Sequence, residues 1–141
     1  MFDRKGVTDH IRELEQTMED WKRYQGISLE ELKADRDKRN MVPHAMLVAI
    51  QAAIDIANHL IAERSLSKPS TYRESFEILS REGIIPAELA NSLSDMAGFR
   101  NVLVHIYWGL DLAEVHGVLV SELKTLMEFR ERVVEEVKKK G

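Results

Sequence analysis

Ala45-Met46-Leu47-Val48-Ala49-Ile50-Gln51-Ala52-Ala53-Ile54-Asp55-Ile56-Ala57-Asn58-His59-Leu60-Ile61 is the stretch on which the fold turns. Wound as a helix, Leu47, Ile50, Ile54, Ala57 and Ile61 make one apolar face, and Met46, Ala49, Ala53, Ile56 and Leu60 make another. A helix with two apolar faces is central in a bundle, or shared between a core and a partner chain, and both roles are expected here. The longest uncharged run, Met41 to Ile54, falls short of the roughly 20 apolar residues of a membrane span, so no membrane association is expected.

On the N-terminal side, Val7, Ile11, Leu14, Met18 and Trp21 recur at steps of four and three, which draws one stripe along a helix. Gly26 breaks it. Ser28 and Glu31, three apart before Leu32, have the spacing of a capping box and start a new helix. Pro43 is expected to end or kink a helix, or to sit in the first turn of the next. On the C-terminal side, Ser65 to Ser70 reads as a loop, and Thr71 with Glu74 is a second capping box. Gly83 suits the left-handed residue after a short helix, and Pro86 the first turn of the following one. That helix carries Leu89, Leu93, Met96, Ala97 and Leu103 until Gly109 interrupts it. Asp111 and Glu114 then cap one last long helix with Leu112, Val115, Leu119, Leu126, Val133 and Val137 on its inner side. The expected architecture is all-α: an antiparallel bundle of four or five helices with short loops.

Composition agrees. The 141 residues are 44% hydrophobic and 31% charged, enough for one core and one hydrated surface, so residues 1–141 are expected to form a single domain. Cysteine is absent, which excludes disulfide scaffolds, thiolate zinc sites, iron–sulfur clusters and cysteine nucleophiles. The net charge of -4 excludes a general polycation, so nucleic acid can be met only through a local patch. Met1-Phe2-Asp3-Arg4-Lys5 opens with charges rather than an apolar core; no secretory leader is expected, and a reducing cytoplasm fits.

Most motifs that announce chemistry are missing. There is no glycine-rich phosphate loop, no paired-histidine zinc motif, no calcium loop and no nucleophile elbow. The informative stretch is Arg100-Asn101-Val102-Leu103-Val104-His105-Ile106-Tyr107, which gathers a permanent cation, an amide, an imidazole and a phenol. On a straight helix five residues turn the side chain by about 500°, or roughly 140° net, and rise about 7.5 Å. Arg100 and His105 therefore share no face unless the helix loosens before Gly109 or a substrate lies across its end. Taken as residues alone, they also read as a helix-end pair capping last-turn carbonyls. Elsewhere, His59 reads as a satisfied bundle histidine. Asp55 and His59 make too small a set for a metal. His10, His44 and His116 are expected at the surface or at helix ends. Lys33 to Arg39, with mixed signs, is expected to be a solvated face.

Arg100-Asn101-x-Leu103-Val104-His105-x-Tyr107-Trp108 resembles the Arg-x4-His-x-Tyr motif of HepT-type toxins in the HEPN superfamily. Ala53–Ile61, Tyr72–Leu79, Gly83-Ile84-Ile85-Pro86 and Gly98-Phe99 resemble the neighbouring parts of that family. The resemblance implies a metal-independent endoribonuclease toxin without cofactor, working as a homodimer in the cytoplasm on tRNA or mRNA. It also implies a type VII-like toxin–antitoxin pair whose partner is a minimal nucleotidyltransferase antitoxin. That partner would silence the toxin by adding AMP to Tyr107. Catalysis would fall to Arg100 and His105, with Asn101 in support. The residue chemistry is compatible: His105 can move a proton near neutral pH, and Arg100 can grip two phosphate oxygens. The rival reading is a non-catalytic helical module that docks a nucleotidyltransferase, with Arg100 binding a nucleotide phosphate.

Overall fold

The computed structural model describes residues 4–105 and 109–140. Among these there is no strand, and seven helices follow one another: α1 (Arg4–Tyr24), α2 (Leu29–Ala34), α3 (Arg36–Glu63), α4 (Tyr72–Arg81), α5 (Ala87–His105), α6 (Leu112–Ser121) and α7 (Leu123–Lys140). The all-α antiparallel bundle is built by α1, α3, α4, α5 and α7, while α2 and α6 are short additions that pack on each other.

Helix α3 is the hub and packs against α1, α2, α4 and α5. Met46, Ala49, Ile50, Ala53, Ile54, Ile56, Ala57 and Leu60 are all buried, so both of its apolar faces are consumed by the core. By length and composition α3 could cross a bilayer, yet more than half of its most apolar window is buried by neighbouring helices, as a core helix requires. The α1 stripe behaves as its spacing demands, with Val7, Leu14 and Trp21 buried and Ile11 and Met18 packed at the edge. Phe76 of α4 meets Phe129 of α7 edge to face at 5.9 Å, which closes the core between those helices.

The caps follow the local code. Ser28 Oγ accepts from Glu31 N at 3.0 Å, Thr71 Oγ1 from Glu74 N at 3.0 Å, and Asp111 Oδ1 from Ala113 N at 3.0 Å. Gly83 lies at φ +75°, with its N–H donating to Ser80 O and the Ile84 N–H donating to Leu79 O, both at 3.0 Å. This is the Schellman ending that a residue without a Cβ adopts at no steric cost.

Two stretches are settled by packing rather than by local signals. Pro43 neither ends nor starts a helix; it lies buried inside α3. The helix starts earlier because Asp35 serves two helices: its N–H donates to Glu31 O at the end of α2, and its carboxylate accepts from Lys38 N at 3.2 Å. An interior proline costs about 3 kcal/mol or more. Burial of Val42, Pro43 and Met46 against the core offsets that cost at roughly 1.5–3 kcal/mol for a large apolar side chain. The last long helix, conversely, is two helices that part at Glu122. The reason is tertiary: Trp21 Nε1 of α1 donates to Leu119 O at 2.8 Å, and Gln25 Nε2 donates to Val120 O at 3.2 Å. Those carbonyls are met by α1 side chains just where an unbroken helix would pair them with its next turn.

Candidate active site

Arg100 sits on the half-buried side of α5, between the buried Phe99 and the exposed Asn101. Packing of α5 on α3 brings it to Gln51, and packing of α5 on α4 brings it to Tyr72 in the first turn after the Thr71 cap. The Arg100 Nε–H donates to Gln51 Oε1 at 2.5 Å. Gln51 Nε2 in turn donates to Asp55 Oδ1 at 2.8 Å, one helical turn further along α3. The guanidinium carbon stands 5.3 Å from the centroid of the Tyr72 ring, within cation–π range. A groove of about 290 Å3 runs beside this group, lined by Glu13, Leu47, Val48, Gln51, Ala52, Asp55 and Arg100. No further hydrogen bond or ion pair engages the Arg100 terminal nitrogens among the described residues.

Asn101 faces a different groove, of about 590 Å3, that it lines with Ser70, Thr71, Tyr72, Arg73, Ser94, Ala97 and Gly98. Tyr72 lines this second groove with Asn101, and its ring face meets the Arg100 guanidinium. His105 is the last residue of α5; its side chain lies outside the described residues, as does the whole of Tyr107. The backbone of α5 remains helical from Arg100 to His105. Their positions are therefore separated by about 140° around the axis and about 7.5 Å along it. Of the stretch before Gly109 where loosening would let them converge, the part from Arg100 to His105 is regular helix, and residues 106–108 lie outside the described residues.

The other candidates fall into structural places. His116 Nε2 lies 2.7 Å from Ile27 O and ties α6 to the loop before α2. His59 is mostly buried, with its Nε2 shut from solvent, without a hydrogen bond among the described residues, and 3.7 Å from Glu63 Oε1, so the satisfied histidine expected is not found among them. Its ring packs 5.2 Å from that of His10. No group of three metal-capable side chains occurs among the described residues. In the charged stretch, Lys38 pairs with Glu31 and Asp35, and the Arg39 guanidinium donates to the Lys33 carbonyl. The hydrogen bond that Lys38 Nζ donates to the Glu31 carboxylate holds the ammonium above the ordinary lysine value, so this cation stays charged within its own surface cluster.

Gln51 and Tyr72 were given no individual role by sequence reasoning. The signal for Gln51 was present: Gln51 and Asp55, four apart, are polar interruptions on one side of an otherwise apolar helix. Tyr72 carried no such mark, because its use depends on how α4 meets α5.

A family model described as Ribonuclease HepT-like matches residues 14–133. The mRNA nuclease HepT of Shewanella oneidensis is 37% identical over 79 residues, which are 56% of this chain and 59% of that protein. The tRNA nuclease HepT of Aphanizomenon flos-aquae is 31% identical over 94 residues, covering 67% of this chain and 64% of its own. The aligned part of this chain thus spans about three fifths of the length of these curated relatives. Among solved structures, the tri-AMPylated Shewanella oneidensis HEPN toxin in complex with MNT antitoxin superposes with a TM-score of 0.83 at 27% identity, covering 96% of this chain and 99% of that one.

Proposed function

This chain belongs to the Ribonuclease HepT-like family, and from that premise we propose that it is a metal-independent endoribonuclease toxin acting on cellular tRNA or mRNA. The observation that carries the reading is the Arg100 guanidinium: held on two sides, with its terminal nitrogens unengaged among the described residues, beside a groove. A planar fork with two spare donors is a phosphate grip.

In this reading the ribose 2′-oxygen attacks the adjacent phosphorus in line. The P–O5′ bond breaks, leaving a 2′,3′-cyclic phosphate and a free 5′-hydroxyl. His105 moves a proton, Arg100 stabilises charge on the phosphoryl oxygens, and Asn101 positions the RNA from the neighbouring groove. One imidazole cannot take the 2′ proton and supply the 5′ proton in the same step. A homodimer, each copy acting as one domain over residues 1–141, provides the second. The half-buried Leu47 and Val48 and the exposed Val104 give the neighbourhood of Arg100 apolar surface for that contact. The partner in the cytoplasm is a minimal nucleotidyltransferase antitoxin. AMP added by it to Tyr107, two residues past His105, brings a phosphate charge that competes with RNA for Arg100.

The test is incubation of the purified full chain with tRNA and mRNA in EDTA, with the product ends mapped. Cleavage leaving cyclic phosphates, abolished in His105→Ala, is expected. Loss of cleavage on chelation overturns the metal-independent reaction. A chain that leaves RNA intact yet co-purifies with the transferase is the docking module instead.

A further inference from the structure

We propose that Gln51 is a positioning residue for Arg100, and that Gln51 and Tyr72 together form a neutral brace that aims the guanidinium without discharging it. The inference rests on the reading of Arg100 as the phosphate grip.

The direction of the brace follows from donor chemistry. A carboxylate only accepts and a guanidinium only donates. Asp55 therefore takes the Gln51 NH2, which leaves the Gln51 carbonyl oxygen as the end facing Arg100. With Nε–H committed to that oxygen, the plane of the guanidinium is set from one edge while Tyr72 supports it through the ring contact. The two terminal nitrogens, unengaged among the described residues, are left for the substrate. Long side chains lose rotamer freedom when they are ordered, and here that loss precedes substrate binding.

The choice of an amide over a carboxylate at position 51 matters for charge. Asp55 and Glu13 both line the groove beside Arg100. A carboxylate in direct bidentate contact would occupy the same fork that a phosphate needs and would cancel its charge. Gln51 stands between Asp55 and Arg100 as a neutral spacer: it passes on orientation and leaves the positive charge for the substrate. Tyr72 likewise contributes a ring face rather than a counter-ion.

Two substitutions at one position separate aim from charge. Gln51→Leu keeps the bulk and removes the acceptor; kcat is expected to fall roughly 10- to 100-fold with KM nearly unchanged, as misplacement of a catalytic group does. Gln51→Glu keeps an acceptor but adds the competing charge, so KM rises while kcat suffers less. A merely structural glutamine would not split the two parameters in this way. An activity-free readout is the Arg100 Nε–H resonance in 15N NMR spectra of the full chain. Slow solvent exchange is expected in the unaltered protein and in Gln51→Glu, and fast exchange in Gln51→Leu. Wild-type kcat in a folded Gln51→Leu, or an Nε–H that stays protected in it, overturns the brace while an inactive Arg100→Ala leaves the site reading standing. An Arg100→Ala chain that cleaves RNA at the wild-type rate overturns both. Should Gln51→Leu fail to fold, a Gln51→Glu variant with unaltered KM overturns the proposal by itself.

Discussion

Trp21 and Arg100 each reach from one helix to another with a nitrogen donor, and the two crossings end in opposite conditions. The Trp21 indole is fully buried, and its single donor is spent on the Leu119 carbonyl at 2.8 Å. The Arg100 guanidinium is half-buried, and after Nε–H meets Gln51 at 2.5 Å its terminal nitrogens have no further partner among the described residues. One contact completes a structure; the other prepares a group for something that arrives later. The difference teaches where function is to be sought in a helical bundle: at a polar side chain that is held in place yet not satisfied.

Substitutions can break that contrast, starting at its structural pole. Trp21→Ala removes the largest fully buried side chain of α1 and should destabilise the fold by about 3–5 kcal/mol, measured by urea unfolding. Any loss of RNA cleavage should then track the unfolded fraction. Arg100→Ala should do the reverse. It is expected to lower kcat by about 10²–10³-fold, or about 2.7–4 kcal/mol of transition-state stabilisation, with an unfolding midpoint close to that of the unaltered chain. A large stability loss in Arg100→Ala would assign it to the same class as Trp21.

Trp21→Phe sharpens the structural side. It retains most of the ring and strands the Leu119 carbonyl, for an expected cost of about 1–3 kcal/mol. If that carbonyl is what keeps α6 and α7 apart, amide exchange near Glu122 should change in this variant before exchange elsewhere does. The smallest effect is expected from Thr71→Ala. It deletes the cap that starts α4 immediately before Tyr72, at about 1 kcal/mol by thermal unfolding. Because Tyr72 supports Arg100, a modest fall in kcat should accompany it.

The Thr71 and Asp111 caps, the left-handed Gly83 and the stripe from Val7 to Trp21 were readable along the chain, because each depends on residues within about one or two helical turns. Pro43, which neither ends nor starts a helix, and Glu122, where the last long helix divides, share one physical reason. At both, a contact distant in sequence outweighs the local preference: core burial carries α3 through a proline, and Trp21 with Gln25 interrupts a helix whose own residues would continue it. At the site, the residue types at Arg100 and Asn101 were visible as a motif. That they line separate grooves was not, since it follows from how α5 packs on α3 on one side and on α4 on the other.

Sequence alone therefore determined the helical class, the central place of α3 and the neighbourhood of the candidate chemistry. Hydrophobic period, capping and residue type are properties of short segments. Tertiary structure alone decided where the last helix divides, which side chains hold Arg100, and that its fork is left open among the described residues. Those depend on donors and acceptors that meet only when helices far apart in the chain are packed together.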